Sequence, residues 1–167
     1  VVIVLMGVSG AGKTTVGRLL ASQLGWDFAD GDDYHSAANV EKMRNGIPLT
    51  DADRAPWLAT LRGLIMSWIE TGKQVVLACS ALKGAYREEL LVASEVHLVY
   101  LRASPGLLHE RLRERQGHFM TEKMLGSQLE TLEGPECAVV IGVDKSPSEI
   151  AAEIRKRLRL GQNPTRR

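Results

Sequence analysis

A chain of 167 residues, 44% hydrophobic and 25% charged, has the size and make-up of one ordinary globular domain. With 21 Lys+Arg against 20 Asp+Glu the formal charge is +1, so no bulk field recruits nucleic acid or a membrane surface. No stretch reaches the roughly 18 apolar residues that a membrane span needs, and the lone Cys79 and Cys137 have neither disulfide-framework nor zinc spacing. Such cysteine usage points to a reducing, cytoplasmic setting. The chain opens at Val1, already inside the first expected strand, and a short preceding segment is expected.

Val1–Met6 is apolar throughout, as in a strand buried on both faces of a parallel sheet. Thr14–Leu24 has helical spacing and Gly25 stands where a left-handed C-cap belongs. Trp26–Asp30 reads as a second strand, followed by a polar stretch with one short helix around Ala37–Arg44. Thr50 and Asp53 have capping-box spacing before a long helix with the stripe Trp57, Leu58, Leu61, Leu64, Ile65 and Trp68, which Gly72 ends. Gln74–Cys79 is a third strand, Lys83–Val92 a helix and Val96–Leu101 a fourth strand. Ser104-Pro105 opens a helix to about Arg115, a break at Gln116–Thr121 precedes another to about Leu132, and Ala138–Val143 is the fifth strand. Ser146-Pro147 caps the last helix. Strands alternating with helices predict one doubly wound α/β domain over residues 1–160, a parallel sheet with helices on both faces, and a frayed tail over 161–167.

Gly7-Val8-Ser9-Gly10-Ala11-Gly12-Lys13-Thr14 matches GxxxxGK[ST] directly after a strand and at the start of a helix, the context that motif requires. Its glycines let backbone N–H groups from Gly7, Ser9, Gly10, Ala11 and Gly12 through Thr15 turn around nucleotide phosphates, and the helix N-terminus adds positive potential. Lys13 then reaches the outer phosphates and the Thr14 hydroxyl serves Mg²⁺. The motif indicates that the chain binds a nucleoside triphosphate.

The strand-three end, Cys79-Ser80, lacks the acid that hydrolysing P-loop ATPases place there, and no Asn-Lys-x-Asp run reads guanine. The acids lie instead at Asp30-Gly31-Asp32-Asp33, beside the crevice where ligands bind in such sheets. Asp30 is assigned to the metal and Asp32 to the incoming hydroxyl, as base or orienter; the plainer reading is a solvated turn. Arg111 and Arg115, four apart before a Gly-containing break, suit a lid over about 111–123. One arginine would cover the nucleotide and the other, Arg115, would stabilise the transferring phosphoryl group. Water-excluding lids favour transfer over hydrolysis, hence a small-molecule kinase.

The residues of Gly7–Thr15, Asp30–His35, Asn39-x-x-Lys-Met43, Gly46–Leu58, Cys79–Arg87 and Gly117–Phe119 together resemble the gluconokinase family over nearly the whole chain. The block from His35 to Leu58 is the specific part. The resemblance implies a three-layer P-loop kinase fold with strand order 2-3-1-4-5, ATP- and Mg²⁺-dependent phosphorylation of D-gluconate at its 6-hydroxyl, and a homodimer. It also implies that the Lys145–Pro147 loop borders the adenine.

An anionic polyol needs cations and polar groups. Arg54, Lys83 and Arg87 flank the acidic crevice; Arg44, His35 and His118 are further candidates; and Ser80 is expected to begin a helix that meets the substrate. For Arg54 the competing role is an ion pair with Asp51 or Asp53, and for Lys83 and Arg87 a solvated helix face. Trp57 and Trp68 read as core anchors. Other functions stay open at this point: a kinase of another small hydroxy acid such as shikimate, or a non-catalytic ATP-binding regulatory protein.

Overall fold

The computed structural model describes residues 1–115 and 121–161. Its strands are β1 (Val2–Met6), β2 (Asp27–Asp30), β3 (Val75–Ala78), β4 (Val96–Arg102) and β5 (Val139–Gly142). They form one parallel sheet in the order β2-β3-β1-β4-β5, the predicted order. The helices are α1 (Lys13–Leu24), α2 (Ala37–Arg44), α3 (Asp51–Glu70), α4 (Gly84–Leu90), α5 (Pro105–Glu114), α6 (Glu122–Thr131) and α7 (Pro147–Arg157), with a single 3₁₀ turn at Gly31–Tyr34. None of the described helices is long and apolar enough to cross a membrane.

β1 is central because all five of its residues are apolar and both faces are covered. Strand pleating splits it. Val2, Val4 and Met6 pack with Trp57, Leu61 and Ile65 of α3, whereas Ile3 and Leu5 pack with Val16 and Leu20 of α1 and Ile150 and Ile154 of α7. From β1 the chain crosses to the edge strand β2 on one side, and from β3 it crosses past β1 to β4 on the other, so a crevice opens at the strand ends where the connections diverge.

Helix starts follow the capping chemistry legible in the sequence. Ser36, Thr50, Ser104, Thr121 and Ser146 each accept a backbone N–H as N-caps, and Thr50/Asp53 and Ser146/Glu149 complete reciprocal capping boxes. One expectation is corrected. Ser80 does not open a helix: Ser80–Leu82 is irregular, Ala81 has φ 45, and α4 begins only at Gly84. The expected break around Gly117–Phe119, with His118, and the tail beyond Gly161 lie outside the described residues.

Candidate active site

The turn between β1 and α1 holds its shape through glycine. Gly10 and Gly12 have φ 87 and 95, in the left-handed region, and a Cβ on Gly7 would stand 2.8 Å from the Leu101 carbonyl oxygen. Gly12 is the N-cap of α1 and offers no side-chain acceptor, so the first N–H groups of this helix are left facing the loop. Lys13 Nζ lies inside that loop, donating to the Gly7 and Val8 carbonyls at 2.8 and 3.0 Å. Burial lowers its pKa, and the carboxylate of Asp32 works in the opposite direction.

At the end of β2, Asp30 caps the 3₁₀ turn by accepting from Asp32 N at 3.0 Å and accepts from Thr14 Oγ1 at 2.9 Å. The two residues assigned to Mg²⁺ are thus brought together across the loop mouth. Asp32 lines a cavity of about 310 Å³ together with Ser9, Lys13, His35, Arg54 and Ser80. Desolvation raises the Asp32 pKa, with Lys13 the largest opposing influence.

His35 stacks on Trp57 with ring centroids 4.2 Å apart and 16° between planes. Burial, followed by the charge of Arg54, lowers its pKa to about 4, so its ring is neutral at neutral pH. Trp57 is both core and wall: 3% exposed, it donates Nε1 to the Gly31 carbonyl at 2.7 Å and also lines the cavity.

The cations separate into distinct roles. Arg54 reaches the cavity and pairs with neither Asp51 nor Asp53 in any direct contact; its Nη1 donates to Leu49 O at 2.8 Å and to the Tyr86 hydroxyl at 3.2 Å. Lys83 instead holds Asp51 at 2.9 Å, with the Tyr86 hydroxyl donating to the same carboxylate, and it does not line the cavity. Arg87 turns inward. It is 8% exposed, its Nη1 donates to the carbonyls of Ala81 and Leu82 at 3.0 and 3.1 Å, and it braces the loop rather than facing the cavity. Arg44 lies outside the cavity wall, 3.8 Å from Glu41 on its own helix.

Next to the cavity a small crevice is lined by Ser9, Gly10, Leu108, Arg111 and Arg115. Arg111 spans it, donating to Gly10 O at 2.8 Å and Val143 O at 3.2 Å, and so ties the P-loop to the segment after β5. Arg115, the C-cap of α5, is close enough to Lys13 for its charge to favour the neutral amine. In the segment expected to border the base, the Lys145 ammonium is paired with Glu153 and Pro147 opens α7.

Gln128 is missing from the sequence reading: its Oε1 accepts from Ser9 N at 2.8 Å. Met124, Ser127 and Gln128 all line the cavity at i, i+3 and i+4 of one helix. That spacing is the signal that could have marked an α6 face turned toward the P-loop.

A family model described as an AAA domain matches residues 2–135. A "Probable gluconokinase" of Xenopus tropicalis is 48% identical over 172 residues, covering 92% of this chain and 90% of that protein. A "Gluconokinase" of Gluconobacter oxydans is 47% identical over 156 residues, covering 91% and 88%. The crystal structure of a gluconokinase from Sinorhizobium meliloti superposes with a TM-score of 0.80 at 39% identity, covering 96% of this chain and 97% of that one. With its phosphate loop, acidic strand end and adjoining cavity, the chain belongs to the gluconokinase family.

Proposed function

We propose that this protein transfers the γ-phosphoryl group of ATP to the 6-hydroxyl of D-gluconate, giving 6-phosphogluconate and ADP with the help of Mg²⁺. The observation that carries this reading is the single cavity that joins Lys13 of the P-loop to Asp32, His35 and Arg54. It offers a phosphate-side cation, a carboxylate for a hydroxyl proton and an arginine for a carboxylate, the three groups this acceptor requires.

In the reaction the acceptor oxygen forms its bond to phosphorus while the bond from phosphorus to the β–γ bridging oxygen breaks, and ADP leaves with that electron pair. The hydroxyl proton passes to Asp32. Desolvation gives this carboxylate a stronger hold on a proton than a solvated one has, which suits it to that task. Lys13 and the N–H groups of the loop meet phosphate charge, and Arg115 at the neighbouring crevice adds positive potential. Arg54 orients the acceptor through its carboxylate.

The residues fit a hard cation. Thr14 Oγ1 and Asp30 Oδ2 are adjacent oxygen donors, and Mg²⁺ bound to a nucleotide needs only one or two protein oxygens. Among the described residues no cluster of three or more His, Cys, Asp or Glu side chains would hold a metal unaided, in keeping with an ion carried in by phosphate. When bound, Mg²⁺ would neutralise charge on the phosphate oxygens. The near-zero net charge supports a small-molecule acceptor rather than nucleic acid, and the free Cys79 and Cys137 support a cytoplasmic location. The homodimer implied by the sequence resemblance is part of the same proposal.

The test is ADP release with Mg-ATP and no acceptor, D-gluconate, shikimate or a nucleoside monophosphate, with the product identified by mass. Stimulation by gluconate alone is expected. Stimulation by another acceptor would keep the kinase and replace the substrate, and ATP binding without stimulation would overturn both.

A further inference from the structure

Asn39 and Arg87 are the buried polar or charged side chains of the described residues. Arg87 braces a loop. Asn39, on α2, does not line the cavity but touches His35, which does. Its Nδ2 donates to the Asp53 carbonyl oxygen at 2.9 Å and approaches His35 Nδ1 at 3.4 Å. The carbonyl decides which end of the amide points there, because the opposite orientation would set oxygen against oxygen. An amide nitrogen has two hydrogens to give and accepts nothing. One hydrogen serves Asp53 and the other meets His35, so Nδ1 of that ring is the acceptor and the ring proton sits on Nε2.

Trp57, stacked on the imidazole, fixes the plane in which that N–H points. Nε2 faces Asp32 Oδ1 at 3.9 Å, too far for a direct hydrogen bond. Both groups line the cavity, where a third group can meet the N–H and the carboxylate together. A hydroxyl is suited to that place, because it accepts through oxygen and donates its proton.

We infer that Asn39 is a positioning residue that locks His35 in its Nε2–H tautomer, so that His35 and Asp32 present a donor and an acceptor to the same substrate hydroxyl. The inference rests on the reading of this cavity as the acceptor site and names the group that it selects. The low pKa of the ring agrees with it, since a neutral imidazole has one N–H, and its position is what Asn39 sets. With the opposite tautomer a lone pair would face Asp32 and the hydroxyl would lose its donor.

The experiment combines proton–nitrogen NMR correlation of the imidazole rings with a double-mutant cycle. His35 signals are identified by their loss in His35→Gln. The wild-type protein should show His35 protonated at Nε2 alone, and Asn39→Leu should lose that single tautomer. Asn39→Leu should also lower kcat with gluconate about tenfold while leaving the ATP KM unchanged. In the His35→Gln background the same substitution should cost almost nothing, because its effect runs through the ring.

An Nδ1–H wild-type ring, a tautomer unchanged in Asn39→Leu, or losses that add in the double variant would each overturn the inference. Should Asn39→Leu fail to fold, Asn39→Asp replaces it: a carboxylate accepts where the amide donates, and should draw the ring proton to Nδ1. The NMR arm needs no substrate. A wild-type enzyme inactive on gluconate therefore sinks the substrate assignment, while the ring spectrum still decides the role of Asn39.

Discussion

The Tyr86 hydroxyl accepts a hydrogen bond from Arg54 Nη1 at 3.2 Å while donating its own proton to Asp51. A residue of α4 therefore sets the guanidinium of a residue on α3 at the cavity wall. Lys83 neutralises the same carboxylate, reaching Asp51 Oδ1 at 2.9 Å and Oδ2 at 3.2 Å, so Asp51 is held without drawing Arg54 away from the cavity. The guanidinium also lies over the Tyr86 ring, 5.5 Å from its centroid.

If Arg54 binds the acceptor carboxylate, Arg54→Ala should lower kcat/KM for gluconate by about 10- to 100-fold, the value of a charge-assisted hydrogen bond, and leave the ATP KM unchanged. Tyr86→Phe removes only the brace and should cost about fivefold, expressed in the gluconate KM. Steady-state kinetics with each substrate varied in turn checks both. A matching rise in the ATP KM would place Arg54 on the nucleotide side.

Asp32→Asn should retain ATP binding, measured by titration calorimetry, and lose about 100- to 10,000-fold in kcat. In the wild type kcat/KM should fall on the acid side with a pKa above the ordinary 3.8, because the carboxylate must be ionised and desolvation raises its pKa. The same shift acts on stability. Folded Asp32 holds its proton to higher pH than unfolded Asp32, so stability declines as pH rises from 3.8 through the folded pKa. Asp32→Asn should remove that decline, which stability curves against pH would show.

Arg87→Met should act on stability. The substitution removes the donor that holds the Ala81 and Leu82 carbonyls beneath α4. A loss of about 2–3 kcal/mol is expected, lowering Tm by roughly 5–10 °C in a domain of this size. At temperatures where the variant is folded, the gluconate KM should change less than twofold. A large KM increase at full Tm would return Arg87 to the acceptor site.

The start of α3 should report acid. Thr50 N–H first, and then Lys42, hold the Asp53 carboxyl at about 2, below its ordinary 3.8. Its contribution is complete above 3.8 and is lost as pH falls toward 2. Stability curves of the wild type and Asp53→Asn should therefore differ at neutral pH and converge through that window. Parallel curves would show that the pairing with Lys42 and Thr50 adds nothing.

The sequence by itself determined what depends on near neighbours along the chain. Gly7 to Thr14 form the phosphate loop because left-handed backbone at Gly10 and Gly12 admits no ordinary side chain without strain. Thr50 with Asp53 and Ser146 with Glu149 cap their helices because a three-residue spacing suffices for the reciprocal bonds. The alternation of strands and helices fixed a parallel sheet by the limits on chain connections, and the family resemblance supplied its order.

Only the tertiary structure decided which long side chains face the cavity. Lys83 and Arg87 stand four apart and look equivalent on a helix. Yet packing of Tyr86 and Leu90 against α3 leaves one at the surface with Asp51 and turns the other under the Ala81 bend. Gln128 meets Ser9 across 119 residues, and Asn39 meets the Asp53 carbonyl only when α2 lies against α3. Helical spacing can mark a shared face, as at Met124, Ser127 and Gln128, but not its partner, because partners come together only when the core buries its apolar faces and the remaining polar groups must satisfy one another.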